Sequence, residues 1–96
     1  MHKLDRPRLS VDFNEMLEPD LFLLARDDEK VDSSGAVVSL SEGMRVYVYE
    51  PEGDDENGVP RYLLATGIVE KNTATYSWAA EVRWCCRIDR WESEPE

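Results

Sequence analysis

Three stretches of the chain are β-patterned, rich in β-branched and aromatic residues, and in the first and last of them the two faces alternate with a period of two. These are Met-Arg-Val-Tyr-Val-Tyr-Glu at 44 to 50, Arg-Tyr-Leu-Leu-Ala-Thr-Gly-Ile-Val at 61 to 69, and Ala-Glu-Val-Arg-Trp-Cys-Cys-Arg-Ile at 80 to 88. Side chains two apart on a strand line one face, so the pattern marks half-buried β-strands. In the first stretch Met44, Val46 and Val48 alternate with Arg45, Tyr47 and Tyr49. In the last, Ala80, Val82, Trp84, Cys86 and Ile88 alternate with Glu81, Arg83, Cys85, Arg87 and Asp89. The alternation predicts an enclosed Trp84 and outward-facing Tyr47 and Tyr49. The middle stretch contains Gly67, and a glycine inside a strand marks a bulge or a sharp bend.

Upstream, Leu21 to Ala25 is a continuous apolar run bounded by Asp20 and Arg26, which suits a buried strand better than a helix too short to stand alone. The charged cluster Asp27-Asp28-Glu29-Lys30 ends it. Asp32-Ser33-Ser34-Gly35 and Ser41-Glu42-Gly43 have turn chemistry and flank a brief strand from Ala36 to Leu40. Between Asp12 and Leu17, Asp12 can cap a first turn, Glu15 answers it three residues later, and Phe13, Met16 and Leu17 share a face. One short helical turn is predicted, stopped by Pro19. The acidic connection from Pro51 to Pro60 should project into solvent, with Asn57-Gly58 in a type I′ turn.

Glycine-led strand starts, Glu42-Gly43 followed by Val46 and then Gly67-Ile68-Val69, loosely resemble SH3-like barrels of the Tudor and KOW kind over about half the chain. The likeness transfers no functional residue. The expected fold is mainly β: a small five-stranded SH3-like antiparallel barrel or a strongly bent meander sheet, with one short N-terminal helical turn. Bends at Gly43 and Gly67 favour closure, because an open sheet leaves two raw edges. One domain is expected over 11–91, between a loose N-terminal arm at 1–10, poor in apolar groups and broken by Pro7, and an acidic tail at 92–96.

Charge narrows the partners. The 96 residues carry a formal charge of -10, which repels polyanions, so direct nucleic-acid binding is disfavoured and no membrane partner is expected. Lys3, Arg6 and Arg8 make the start of the chain basic, whereas 27 to 29, 50 to 56 and Glu92, Glu94 and Glu96 are rich in carboxylates; the plain account of such runs is solvated loops and a tail. The longest apolar run is far short of the ~20 residues that cross a bilayer, and no secretory-type stretch opens the sequence, so a cytoplasmic protein is expected. Adjacent Cys85 and Cys86 would face opposite sides of a strand, which strains a bridge between them. Free thiols in a reducing compartment are the expectation, against the sharper alternative of a vicinal redox pair.

Little catalytic chemistry is on offer. The sole histidine is His2, and carboxylates in wet loops keep ordinary acidity. Two divergent thiols cannot close a zinc site. An EF-hand needs glycine at the sixth position and glutamate at the twelfth; counted from Glu52 the sixth is Asn57, and counted from Asp54 the twelfth is Ala65, which leaves only adventitious calcium. No Gly-rich phosphate loop occurs. No catalytic residue, cofactor or metal site is therefore expected, and an enzyme acting on a small molecule is the least favoured reading.

What remains is surface. Arg45, Tyr47 and Tyr49 would share a face with Arg83 and Arg87, and Tyr76 and Trp78 sit in the loop before the last strand. Tyrosine, tryptophan and arginine dominate interface hot spots, so the expectation is a small non-catalytic domain that binds a protein partner. The plainer alternatives are cross-strand pairing on the sheet face and, for Tyr76 and Trp78, a hydrophobic plug over one barrel end. A different function class is an acidic inhibitor or nucleic-acid mimic occupying the basic groove of a nuclease or DNA-binding protein. It requires the carboxylates of 27 to 29 and 52 to 56 to gather on one side.

Overall fold

A computed structural model describes residues 4–92; His2, Lys3 and the tail beyond Glu92, with Glu94 and Glu96, lie outside the described residues. The strands are β1 (Leu9–Ser10), β2 (Met16–Glu18), β3 (Leu21–Ala25), β4 (Glu29–Val31), β5 (Val37–Ser39), β6 (Arg45–Asp54), β7 (Pro60–Lys71) and β8 (Trp84–Glu92). Six form one sheet in the order β1-β6-β7-β8-β3-β2, while β4 and β5 make a separate hairpin. All pairs are antiparallel except β1 on β6. The fold is mainly β, a strongly bent meander of β6, β7 and β8 curled into a half-barrel. Three short strands, β1, β2 and β4, add to the five expected. Among the described residues no helix is long and apolar enough to cross a membrane.

The concave face holds the main core. Val46 and Val48 of β6, Ala65 and Val69 of β7, Trp84, Cys86 and Ile88 of β8, and Phe22 and Leu24 of β3 pack there. Trp84 is 8% exposed, as its place in the alternation predicts, and its indole N–H donates to Asp28 Oδ1 at 3.0 Å. The β4–β5 hairpin covers part of the open mouth, sending Val38 and Leu40 into this core. The backbone bond from Ser33 N to Arg8 O (2.8 Å) and the bond from Arg8 N to Ser33 Oγ (2.9 Å) tie its tip to the segment before β1. The sheet itself ends at β1 and β2, so closure comes from the hairpin and not from strand pairing.

Gly67 sits where the β7–β8 register shifts, between Thr66 and Gly67. A Cβ at this position would stand 2.5 Å from both Arg87 O and Cys86 Sγ, so only glycine lets the two strands approach this closely.

Both hairpin tips use the same local chemistry. At Asp32-Ser33-Ser34-Gly35 the Asp32 carboxylate accepts from the N–H groups of Ser34 (2.8 Å) and Ala36 (3.1 Å). At Asp55-Glu56-Asn57-Gly58 the Asp55 carboxylate accepts from Asn57 (2.8 Å) and Val59 (2.9 Å). Gly35 and Gly58 take the positive φ, at 91° and 78°. Asn57 does not, so the tip is a turn closed by a left-handed glycine and not the expected type I′ pair. The acidic connection is correspondingly shorter than expected, because β6 runs to Asp54 and β7 starts at Pro60.

Other expectations need correction. Residues expected in a loose arm are anchored: Leu9 joins the core and the Arg8 side chain is fully buried. Its Nε donates to Asp5 Oδ1 (2.8 Å), Nη1 to the carbonyls of Val48 and Ala65 (both 3.1 Å), and Nη2 to Asp5 Oδ2 (2.9 Å) and Glu92 Oε2 (2.6 Å). Each guanidinium N–H thus has an acceptor, which is what permits a charge to be buried there. The turn at Asp12 is one bond long, from Glu15 N to Asp12 O at 2.9 Å, and the chain then extends into β2. Finally, β8 begins at Trp84 and not at Ala80, because Ser77–Ala79 form a 3-10 turn.

Candidate functional site

Strand β7 lies between β6 and β8, so Arg45, Ile68 and Arg87 form one row across the outer face. Tyr47 and Tyr49 share this face, each half-buried. Arg83 does not join them; it precedes β8, and its guanidinium donates to both oxygens of Asp28 at 2.9 Å, at the end of the sheet. The polar groups of the face are matched within the molecule. Arg45 pairs with Asp89 at 2.9 Å, and Arg87 holds Glu70 (2.7 Å), Asp20 (2.8 Å) and Glu18 (3.3 Å). The Arg6 guanidinium lies 4.4 Å from the centre of the Tyr47 ring, and Tyr49 meets Tyr62 edge to face at 5.8 Å. These contacts are the cross-strand pairing that was the plainer alternative for the face. A partner would have to break them, since each group would exchange an existing contact for a new one.

Tyr76 and Trp78 are arranged differently. Their rings stack with centroids 5.9 Å apart and planes 17° from parallel, and the residues are 55% and 54% exposed. They project from the 72–83 loop, which folds over the outer face at the start of β8. The plug there is Ala79, fully buried against Cys85 and Leu23, with Ala74, Val82, Leu17 and Leu21 around them. This correction explains why Cys85 is buried although it faces outward: the loop covers it. The plug expected of Tyr76 and Trp78 over a barrel end is not formed: the two rings stay in solvent, and the loop buries the Ala79 methyl on the outer face instead.

Asn72 holds the loop in shape. Its Nδ2 donates to Ala79 O and Val82 O, each at 2.8 Å, its Oδ1 accepts from Ala74 N at 2.9 Å, and its backbone N donates to Arg83 O at 3.0 Å. The 3-10 turn adds Ala79 N to Tyr76 O at 3.0 Å. The rings are therefore presented from a braced segment, which lowers the ordering cost of a contact. Strand alternation does not single out Asn72. The available signal was an amide side chain directly after a strand, able to satisfy loop backbone groups as well as to end pairing. Beside the loop a cleft of about 710 Å³ is lined by Arg26, Lys71, Asn72, Glu81, Arg83 and Trp84, among others.

The rest of the molecule offers less chemistry. Burial pushes the Cys85 thiol up to about 11 and the Cys86 thiol up to about 12, so neither supplies a thiolate at neutral pH. Among the described residues no three His, Cys, Asp or Glu side chains are placed to hold a metal ion. The carboxyl of Glu50 is raised by burial and by a hydrogen bond with Asp12, but the pair lies where the chain leaves β1 for the Asp12 turn. The acidic runs are separated. Asp54 pairs with Pro60 at one end of β7, whereas Lys71 at the other end pairs with Trp84, which pairs with Ala25 next to the 27–29 cluster. Roughly 35 Å of strand divides them.

The described residues thus present a stacked, exposed aromatic pair on a hydrogen-bonded loop and a sheet face on which Arg45 and Arg87 are already paired. No protein-family model, no curated protein and no solved structure matches the chain.

Proposed function

We propose that this chain is a small non-catalytic protein-interaction domain whose contact surface centres on Tyr76 and Trp78. The observation that carries the reading is the stacked ring pair, more than half exposed on a loop braced by Asn72. Large rigid aromatic side chains bury much area for little lost rotamer freedom, which is why they dominate binding hot spots. Arg45, Tyr47, Tyr49, Arg83 and Arg87 are then framework, contributing through the partners they already have. A non-catalytic role accords with the protonated thiols and the solvated carboxylates. The separation of the acidic runs weighs against a nucleic-acid mimic, whose carboxylates must follow one continuous path. A reducing cytoplasm suits the two free buried thiols.

The test is differential capture from the native cell with quantitative mass spectrometry, using the wild-type chain, a Tyr76→Ala/Trp78→Ala variant and a Tyr47→Ala/Arg83→Ala variant. The reading expects a partner retained by the wild type and by the sheet-face variant but lost from the loop variant. Retention by the loop variant, or loss from the sheet-face variant alone, contradicts it.

A further inference from the structure

We infer that the cleft beside the 72–83 loop seats an acidic side chain of the partner, a carboxylate held between Lys71 and Arg26. The inference rests on the reading of this loop as the contact surface and adds the charge that the partner brings next to it.

Register puts the two cations on opposite walls. Lys71 pairs with Trp84 and Trp84 with Ala25, so the end of β7, the start of β8 and the end of β3 form one row, and Arg26 follows directly. Two strand spacings, roughly 10 Å, separate the walls, a gap that two long side chains close on one carboxylate. Lys71, Arg26 and Arg83 line this single cleft of about 710 Å³ together with the carboxylates of Asp28 and Glu81. Asn72, Glu81 and Arg83 belong to the loop that presents Tyr76 and Trp78, so one partner surface can meet the rings and the cleft together.

The charges of the lining do not cancel. Arg83 is spent on Asp28, donating through Nη1 to both oxygens at 2.9 Å, while the Trp84 indole fixes the same carboxylate at 3.0 Å. Arg26 meets Glu81 at 3.1 Å with the two side chains 69% and 77% exposed, a weak pair that exchanges readily. Lys71 is exposed and has no ion pair or hydrogen bond among the described residues. Three cations against two carboxylates leave one positive charge over, in a chain whose formal charge is -10. The acidic tip of the β6–β7 hairpin lies roughly 35 Å of strand away, beyond the ~8 Å over which exposed charges act at physiological salt. Asp27 and Glu29 are nearer but line other clefts; they oppose a polyanion, whose successive phosphates would meet them, more than a single carboxylate.

The probes are a synthetic Glu-Gly repeat peptide, the matching Gln-Gly repeat and a single-stranded oligothymidylate. Binding is followed by NMR at two salt concentrations, through the backbone amides of 71–72 and 80–84 and the arginine Nε–H signals. The variants are Lys71→Gln, Glu81→Gln and, at the far hairpin tip, Glu56→Gln, each checked for an unchanged thermal transition. The glutamate peptide is expected to move these signals saturably and to weaken with salt, and the glutamine peptide to leave them in place. Lys71→Gln should weaken the glutamate peptide about threefold, and Glu81→Gln, which frees Arg26, should tighten it about threefold, while Glu56→Gln changes nothing. No saturable shift, an equal response to the two peptides, unchanged affinity in Lys71→Gln, or equal gains in Glu56→Gln and Glu81→Gln overturns the inference. Tighter binding of the oligothymidylate does so too, in favour of a phosphate ligand, as do shifts driven by protein concentration alone, in favour of a second copy. If partner capture still depends on Tyr76 and Trp78 while the glutamate peptide fails, only the carboxylate assignment falls. Capture indifferent to the rings while the peptide binds contradicts the loop reading and leaves the cleft's carboxylate standing.

Discussion

Arg8 is the side chain on which most of the molecule's distant segments converge. Its guanidinium joins Asp5, the facing carbonyls of Val48 on β6 and Ala65 on β7, and Glu92 at the end of β8. Burial acts against its charge, but the hydrogen bonds and charges of Asp5 and Glu92 outweigh that and hold its pKa above the ordinary value. Removing one partner of a buried charge network costs about 3–5 kcal/mol, and Arg8→Ala should approach that range because it strips acceptors on two strands at once. Arg8→Lys should recover part of the loss, since an ammonium has three donors against five. Chemical denaturation of the three proteins checks both statements. No pattern in the sequence reveals this role: an arginine beside Pro7 in a polar stretch reads as an exposed residue, and only the fold brings five acceptors to it.

At the scale of elements, the legible part was the strands with a clean period of two. Trp84, Cys86 and Ile88 pack inward as the alternation predicts, and Gly67 marks a real register shift. Alternation cannot, however, tell a solvated face from a covered one. Cys85 is buried because the 72–83 loop folds over it, a tertiary event with no signature in the strand. Ala80 and Val82 continued the apparent pattern but belong to that loop, where the 3-10 turn interrupts the extended chain. The three short strands escaped notice because two or three residues cannot show a period. The candidate site divides the same way. Tyr76 and Trp78 could be singled out by residue type and loop position, whereas their stacking and the brace at Asn72 needed coordinates. Asn72→Ala removes the side-chain donor to Val82 O and leaves Ala79 O with only the bond from Val82 N, and should cost about 1–3 kcal/mol. Partner affinity should fall as well although neither ring is touched, whereas an unchanged affinity would mean that the rings do not need the brace.

For the molecule as a whole, acidity sets a stability profile with two limbs. The carboxyls of Asp5, Asp28, Asp32 and Asp89 lie below their ordinary value of 3.8, held there chiefly by hydrogen bonds from Arg8, Trp84, Ser34 and Arg45 respectively. A depressed folded-state pKa contributes stability above the unfolded value and loses it as pH falls through the folded one. Glu50 works in the opposite sense. Burial first, and then the bond with Asp12, raise it above its ordinary 4.5, so its contribution is full below that value and fades as pH rises through the folded pKa. Thermal unfolding followed across pH should therefore give a maximum on the acid side of neutrality, with a fall toward strong acid and a shallower fall toward neutral pH. Glu50→Gln should flatten the neutral limb and leave the acid limb in place.

The central claim is that contact runs through one braced loop and not through the sheet face. Hydrogen exchange of the chain, alone and in complex with its captured partner, tests it most directly. Slowed exchange concentrated in residues 72–83, with β6 unchanged along Arg45 to Tyr49, is the predicted result. Protection across β6 with no change at Tyr76 and Trp78 would contradict it.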